Sequence, residues 1–133
     1  MYDTFEKLMN GADGGLALLQ VLAENSFDSI LITEASEEGK IIYANEAFEK
    51  LTGHEPSSVI GKTPRILQGP GTDEKVITRL SNALKSGVKF EGKAINYKKD
   101  GTPFIMYWRV LPIEVAKKIT AWVAIQREGA VII

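Results

Sequence analysis

A chain of 133 residues with 44% hydrophobic content is long enough to bury one core and too short for two comfortable domains. Sixteen basic against 17 acidic residues leave a net charge of -1, which excludes a global attraction to nucleic acid or to an anionic membrane, so function is expected from a local site. The absence of cysteine excludes disulfides, thiolate zinc sites, thioether-linked haem and any cysteinyl adduct.

The first residues, from Met1 to Glu6, carry no basic n-region or apolar h-region, and no apolar run approaches the roughly 20 residues of a membrane span. A cytoplasmic chain is expected. Phe5, Leu8 and Met9 suggest a short amphipathic helix, which the glycines Gly11, Gly14 and Gly15 should break. That glycine cluster has no strand before it and no Lys-Ser/Thr after it, so it reads as a hinge and not as a phosphate loop. Residues 16–23 place Leu16, Leu18, Leu19, Val21 and Leu22 on a wide apolar helix face. Two short β-branched strands follow, residues 29–33 and 40–43, joined by an acidic, glycine-containing turn. Asn45 can cap a short helix that buries Phe48 and Leu51 and stops at Gly53. Beyond residues 61–73, an unusual glycine- and proline-containing stretch, Val76, Ile77, Leu80, Ala83 and Leu84 recur at helical spacing up to Gly87, one face being core.

The last third reads as strands. Residues 88–97 and 103–112 flank Lys98-Lys99-Asp100-Gly101, a tight hairpin turn, and a third strand, residues 119–126, follows a loop over residues 114–118. Strict alternation places Phe90, Gly92, Ala94, Asn96, Phe104, Met106, Trp108, Val110, Trp122, Ala124 and Gln126 on one face, the candidate pocket. The other face carries Ile105, Tyr107, Arg109, Leu111, Ile119, Val123 and Ile125, too apolar to be left in water. The helix at residues 16–23, or the sheet of a second copy, is expected to cover it.

The run Gly61-Lys62-Thr63-Pro64-Arg65-Ile66-Leu67-Gln68-Gly69 resembles the Gly-x-Asn-Cys-Arg-Phe-Leu-Gln-Gly signature of light-oxygen-voltage (LOV) domains, the flavin-binding branch of the PAS superfamily. Pro64 stands in the position of the reactive cysteine. Ile95-Asn96-Tyr97-x-Lys99-x-Gly101 is similar to the same branch, and Tyr43-Ala44-Asn45 to PAS domains in general. The resemblance covers roughly residues 27–128 and implies an α+β PAS fold: a five-stranded antiparallel sheet with short helices on one face. Residues 1–26 form an N-terminal helical cap on this reading, and residues 129–133 an apolar tail where such domains continue toward an effector.

The resemblance also implies a site. Arg65 matches the arginine that holds the flavin phosphate, a task suited to its planar, charge-assisted donors. A second arginine of the family aligns with Ser81, leaving Arg79 or Lys75 as substitutes. Gln68 matches a glutamine at the ribityl chain or ring, and Thr33 a threonine near the polar edge. Asn96 matches the first of two strand asparagines at the pyrimidine edge, where an amide offers both a donor and an acceptor; Met106 stands in place of the second. Gln126 matches the glutamine that bonds flavin N5 and O4. Asn45, Thr63 and Trp108 complete the expected lining. FMN is the implied cofactor, with FAD or none as alternatives. Lacking a thiol, the flavin is expected to respond to light or redox state by reduction, with Trp108, Trp122 or Tyr97 as electron donor.

Plainer readings stand beside these. Thr63 and Pro64 make a good helix start; Gln68, Asn96 and Gln126 can be satisfied polar residues; Met106, Trp108 and Trp122 can fill the cavity as core. A cofactor-free PAS interaction module is therefore the alternative. A haem sensor would need an axial ligand, and His54, the single histidine, lies in a turn where exposure is expected. One histidine supplies no Ser-His-Asp set, and Glu37 and Glu38 read as solvated turn charges, so no enzymatic activity is expected. A homodimer through the outer sheet face or N-terminal helix is expected, with an effector outside the chain and no nucleic-acid or membrane partner.

Overall fold

The structure is a computed structural model that describes residues 14–129. The expected helix around Phe5, the glycine at position 11 and the apolar tail at residues 130–133 lie outside the described residues. In chain order the elements are helix α1 (Gly14–Glu24), strands β1 (Ser29–Glu34) and β2 (Ile41–Ala44), helices α2 (Glu46–Thr52) and α3 (Pro56–Val59), a 3-10 turn (Pro64–Leu67), helix α4 (Glu74–Ser86), and strands β3 (Phe90–Tyr97), β4 (Pro103–Val115) and β5 (Lys118–Glu128). They form one antiparallel sheet in the order β2-β1-β5-β4-β3. The expected five-stranded α+β architecture is present.

This order positions the site. The chain leaves the sheet at one edge, β2, and returns at the other, β3, so the helical segment between them must cross the sheet. It crosses on the face that carries Leu31, Ala94, Met106, Trp108, Val110, Trp122 and Ala124, all buried, and adds Phe48, Val59 and Leu67 to the same core. Local signals explain the helices. Asn45 Oδ1 accepts from Phe48 N at 3.1 Å to start α2, and Gly53 ends it at φ 80°. Asp73 accepts from Lys75 N at 2.9 Å to start α4, and Gly87 ends it at φ 70°.

Both sheet edges are partly covered. On β2, Ile41 N donates to Lys62 O and Ile41 O accepts from Gly61 N, each at 2.8 Å. On β3, Arg79 donates to Glu91 O at 2.9 Å and the Thr72 hydroxyl to Ile95 O at 2.6 Å. Edge groups satisfied in this way offer little to an added strand.

Several expectations are corrected. Gly14 and Gly15 do not break a helix but form the first turn of α1. That helix does not cover the sheet: Ala23 is buried, whereas Leu19, Val21 and Leu22 are exposed, Leu22 at 61%. The hairpin turn Lys98–Gly101 is present, but Asp100 does not share its positive backbone angle. Gly101 alone takes a positive φ, 89°, and donates to Lys98 O, the geometry of a longer loop closed by a left-handed glycine. The expected loop at residues 114–118 is instead the tight turn Ala116-Lys117, both at positive φ, 53° and 65°, which lengthens β4 and β5. No glycine or asparagine marks it in the sequence. Finally, the register slips between Ile113 and Glu114, so that Ile119 pairs with Glu114 and turns inward. Ile119 packs against the core and lies 3.1 Å from where a Cβ on Gly87 would stand. One extra residue in a strand moves the next side chain to the opposite face, which strict alternation cannot anticipate.

Candidate functional site

The inner face of the sheet carries polar groups in an otherwise apolar core. Asn96, 5% exposed, donates from Nδ2 to Met106 Sδ at 3.2 Å, a weak acceptor, and its Oδ1 is buried without any partner. Gln126, 4% exposed, accepts at Oε1 from the buried Ser29 hydroxyl at 2.9 Å. Thr33 is half-buried between Trp122 and Ile41, its register partners on β5 and β2. Bulk on β4 is matched by small residues on β3: Trp108 pairs with Gly92 and Met106 with Ala94. Phe90 leans against Trp108 with ring centroids 5.3 Å apart, and a Cβ on Gly92 would stand 2.6 Å from the Phe90 ring. Above this floor, α4 presents Val76, Ile77, Leu80 and Ala83, each only half-buried, with no fully buried residue in the helix.

Residues 61–73 form the rim. Thr63 caps the 3-10 turn without a side-chain bond and Pro64 takes its first position, where its missing N–H is no loss. Leu67 turns into the core, while Arg65 and Gln68 are exposed and make no side-chain hydrogen bond among the described residues. The segment is stitched to β3. Gly71 N donates to the Tyr97 phenol oxygen at 2.7 Å, and a Cβ on Gly69 would collide with the Tyr97 ring, so the ring can lie flat on the loop only because glycine is there.

Of the expected lining residues, Thr33, Asn96, Met106, Trp108 and Gln126 share the inner face, and Thr63, Arg65 and Gln68 lie on the rim. Asn45 does not face the cup. Its amide is used up by backbone groups: Oδ1 accepts from Ile30 N and Phe48 N, and Nδ2 donates to Ala23 O and Asp28 O. Arg79 is no free substitute for the residue at Ser81, because it bonds Glu91 O and lies 4.8 Å over the Phe90 ring. Tyr97 shares its register side with Lys93 and Ile95, away from the two tryptophans. Ser29 was missed. Its position two residues before Leu31 on a strand could have placed it on the inner face, but nothing in the sequence pairs it with Gln126, 97 residues away.

A PAS domain family model matches residues 28–128, with the inner face, the rim and all five strands inside the match. The chain belongs to the PAS domain family. Within it the likeness is to LOV proteins. A blue-light-activated histidine kinase of Brucella anthropi is 48% identical over 77 residues, 58% of this chain and 15% of the kinase. The chain thus spans a small part of that relative. The solved LOV domain of the Erythrobacter litoralis EL346 blue-light activated histidine kinase is 33% identical with a TM-score of 0.73, covering 76% of this chain and 94% of that one. A LOV domain studied with a flavin analogue is 26% identical with a TM-score of 0.79, covering 86% and 85%.

In this PAS domain the outer face carries two ion pairs: Arg109, registered beside Ile125 within the sheet, pairs with Glu91 at 3.2 Å, and Arg127 pairs with Asp28 at 2.6 Å. On the same face Ile30, Ile32, Ile105, Leu111, Val123 and Ile125 are half-buried. His54 is not the exposed turn residue expected: it packs on Phe48 with centroids 6.5 Å apart, and burial, then the Lys99 and Lys62 charges, hold its pKa below 6.5. The Tyr43 hydroxyl is buried without a partner, and burial, then the Glu24 carboxylate, raise its pKa above 10.0. Among the described residues no helix is long and apolar enough to cross a membrane.

Proposed function

We propose that this PAS domain is a flavin-binding sensor of light or redox state that switches by flavin reduction, without a cysteinyl adduct. The observation that carries the reading is Asn96 Oδ1, an amide acceptor buried with no donor. Such a group costs about 1–3 kcal/mol when left alone, and the pyrimidine edge of an isoalloxazine ring offers the N–H it lacks. The half-buried apolar face of α4 and the likeness to LOV domains support the same reading.

When bound, the flavin supplies blue absorption and takes up an electron and a proton. Around it, Asn96 and Gln126 hold the polar edges, with Thr33, Met106 and Trp108 lining the inner face and Thr63 and Gln68 the rim. Arg65 is the phosphate ligand. With Arg79 engaged and Ser81 uncharged, one guanidinium serves the site, which suits the single terminal phosphate of FMN. Trp108 and Trp122, both on the inner face, are the electron donors, and Tyr97, turned to the loop, is not. Gln126 passes its amide reorientation to its strand neighbours Ile125 and Arg127, which reach the outer face. That face, with six half-buried aliphatic residues beside two ion pairs, is too apolar to be left in water and is the contact between two copies of the chain. Partial cover of both sheet edges favours docking by the face. The effector is a separate domain or protein.

A second reading rests on a specific observation: Met106, at 1% exposure, Trp108 and Trp122 belong to one contiguous buried core. On that reading these side chains close the cup, and the domain is a cofactor-free dimerisation module. Visible absorption of the purified chain, before and after blue illumination with a mild reductant, separates the two. An oxidised-flavin band that bleaches without an adduct band supports the sensor. A featureless spectrum, and no FMN taken up on refolding, overturns it in favour of the closed cup. Photoreduction unchanged in both Trp108→Phe and Trp122→Phe removes them as donors.

A further inference from the structure

Tyr97 is turned away from the tryptophans, and its phenol is instead what ties the rim to the sheet. From Gln68 to Lys75 no side chain is buried, so this part of the rim is held by bonds to the edge of β3 and not by core packing. Gly71 N donates to Tyr97 Oη at 2.7 Å, and the Thr72 hydroxyl donates to Ile95 O at 2.6 Å while accepting from Gly69 N at 3.1 Å. Glycine makes the fit possible: a Cβ on Gly71 would stand 2.8 Å from Tyr97 Oη, and one on Gly69 would meet the ring. Arg79, bonded to Glu91 O, continues the seam along α4, which roofs the cup without one buried side chain. A segment secured in this way opens with a free energy set by those few bonds, below that of global unfolding. Gln68 lies at one end of it and α4 at the other, while the buried Leu67 keeps the 3-10 turn in place.

We infer, resting on the flavin reading above, that Tyr97 is a positioning residue whose phenol latches residues 68–72 to β3, and that opening of this latch is the step by which the cofactor enters and leaves the cup. The kinetic consequence is specific. The bond from Gly71 N to Tyr97 Oη joins two parts of the protein and not protein to cofactor, so it stabilises the closed rim equally whether the cup is empty or filled. Losing it raises the open fraction of both states by the same factor. Association and dissociation then accelerate together, and their ratio, the affinity, is preserved. Loss of a direct ligand contact behaves differently, because it raises dissociation and leaves association nearly unchanged.

Two measurements on the full chain test this: hydrogen exchange of the Gly71 amide by NMR without flavin, and stopped-flow FMN fluorescence, which gives association and dissociation rates separately. Tyr97→Phe keeps the ring and drops the hydroxyl. It should speed Gly71 exchange and both FMN rates about tenfold, the order expected for one lost hydrogen bond, while the dissociation constant changes less than about twofold. Thr72→Val should act in the same direction, and Thr72→Ser, which keeps the hydroxyl, should restore the wild-type rates. Tyr107→Phe, the same deletion on the outer side of β4, should alter neither measurement. Unchanged Gly71 exchange in Tyr97→Phe overturns the latch, and faster exchange with unchanged FMN rates overturns its gating role. A rise in dissociation alone makes Tyr97 an ordinary ligand contact and overturns the inference as well. Failure of the wild type to bind FMN overturns the flavin reading and the gating with it, whereas Gly71 exchange still decides whether the latch exists.

Discussion

The two faces of this sheet are built from the same alternation of residues and come to opposite ends. On the inner face the chain's own helices bury Leu31, Met106, Trp108 and Trp122, and the buried polar groups Ser29, Asn96 and Gln126 stand among them. On the outer face Ile32, Leu111, Val123 and Ile125 stay half-buried, beside the Arg109–Glu91 and Arg127–Asp28 pairs. The crossing from β2 to β3 can cover one face and not both. Apolar patterning therefore says that a face will be covered, while connectivity says whether the cover is the chain itself or another molecule.

Substitutions sharpen this contrast. Leu31→Ala, at a fully buried inner position, should cost about 2–5 kcal/mol in urea unfolding, whereas Ile125→Ala on the outer face should cost about 1 kcal/mol or less at concentrations where the chain is monomeric. Equal losses would mean that the outer face is as well packed as the core. Val123→Lys buries an unpaired charge between two copies and should weaken self-association about hundredfold in analytical ultracentrifugation, in line with the cost of an uncompensated buried charge. An unaltered sedimentation profile places the contact elsewhere.

Smaller effects carry sign information. Asn96→Leu removes the orphan oxygen, so the flavin-free chain should gain about 1 kcal/mol in unfolding free energy while FMN affinity falls about tenfold. Loss of stability would show that Oδ1 has a partner in solution. His54 gives the smallest effect. Its pKa in the folded chain lies below the ordinary 6.5, so below that pH the unfolded chain binds more protons. The stability it contributes is complete above 6.5 and is lost as the pH falls from there toward the lowered value. His54→Gln should therefore flatten part of the decline in melting temperature between about pH 7 and pH 5, and parallel profiles for the two proteins would contradict it.

Much of the fold was legible before the structure because its signals are local. Asn45, Gly53, Asp73 and Gly87 punctuate helices through bonds that span a few residues, and β3 and β4 alternate cleanly. The lining residues Asn96, Met106, Trp108 and Gln126 followed from that alternation, and Arg65 and Gln68 from the resemblance of the rim. What misled was also local in form. Ala116-Lys117 adopts a turn that its residue types do not advertise, the bulge before Ile119 reverses a face, and the apolar residues of α1 suggested a cover that the helix does not provide.

By itself, then, the sequence determined most of the elements and the absence of cysteine, which depend on residue type and near neighbours, while the arrangement of the sheet was legible through the resemblance to PAS domains. Only the tertiary structure decided that Ser29 meets Gln126, that Asn96 Oδ1 is left without a donor, that Asn45 spends its amide on the backbone and that Arg79 is tied to β3. Those facts depend on which buried polar atoms find partners across distant strands. Hydrogen bonds of 2.9 Å leave no slack for guesswork from spacing along the chain.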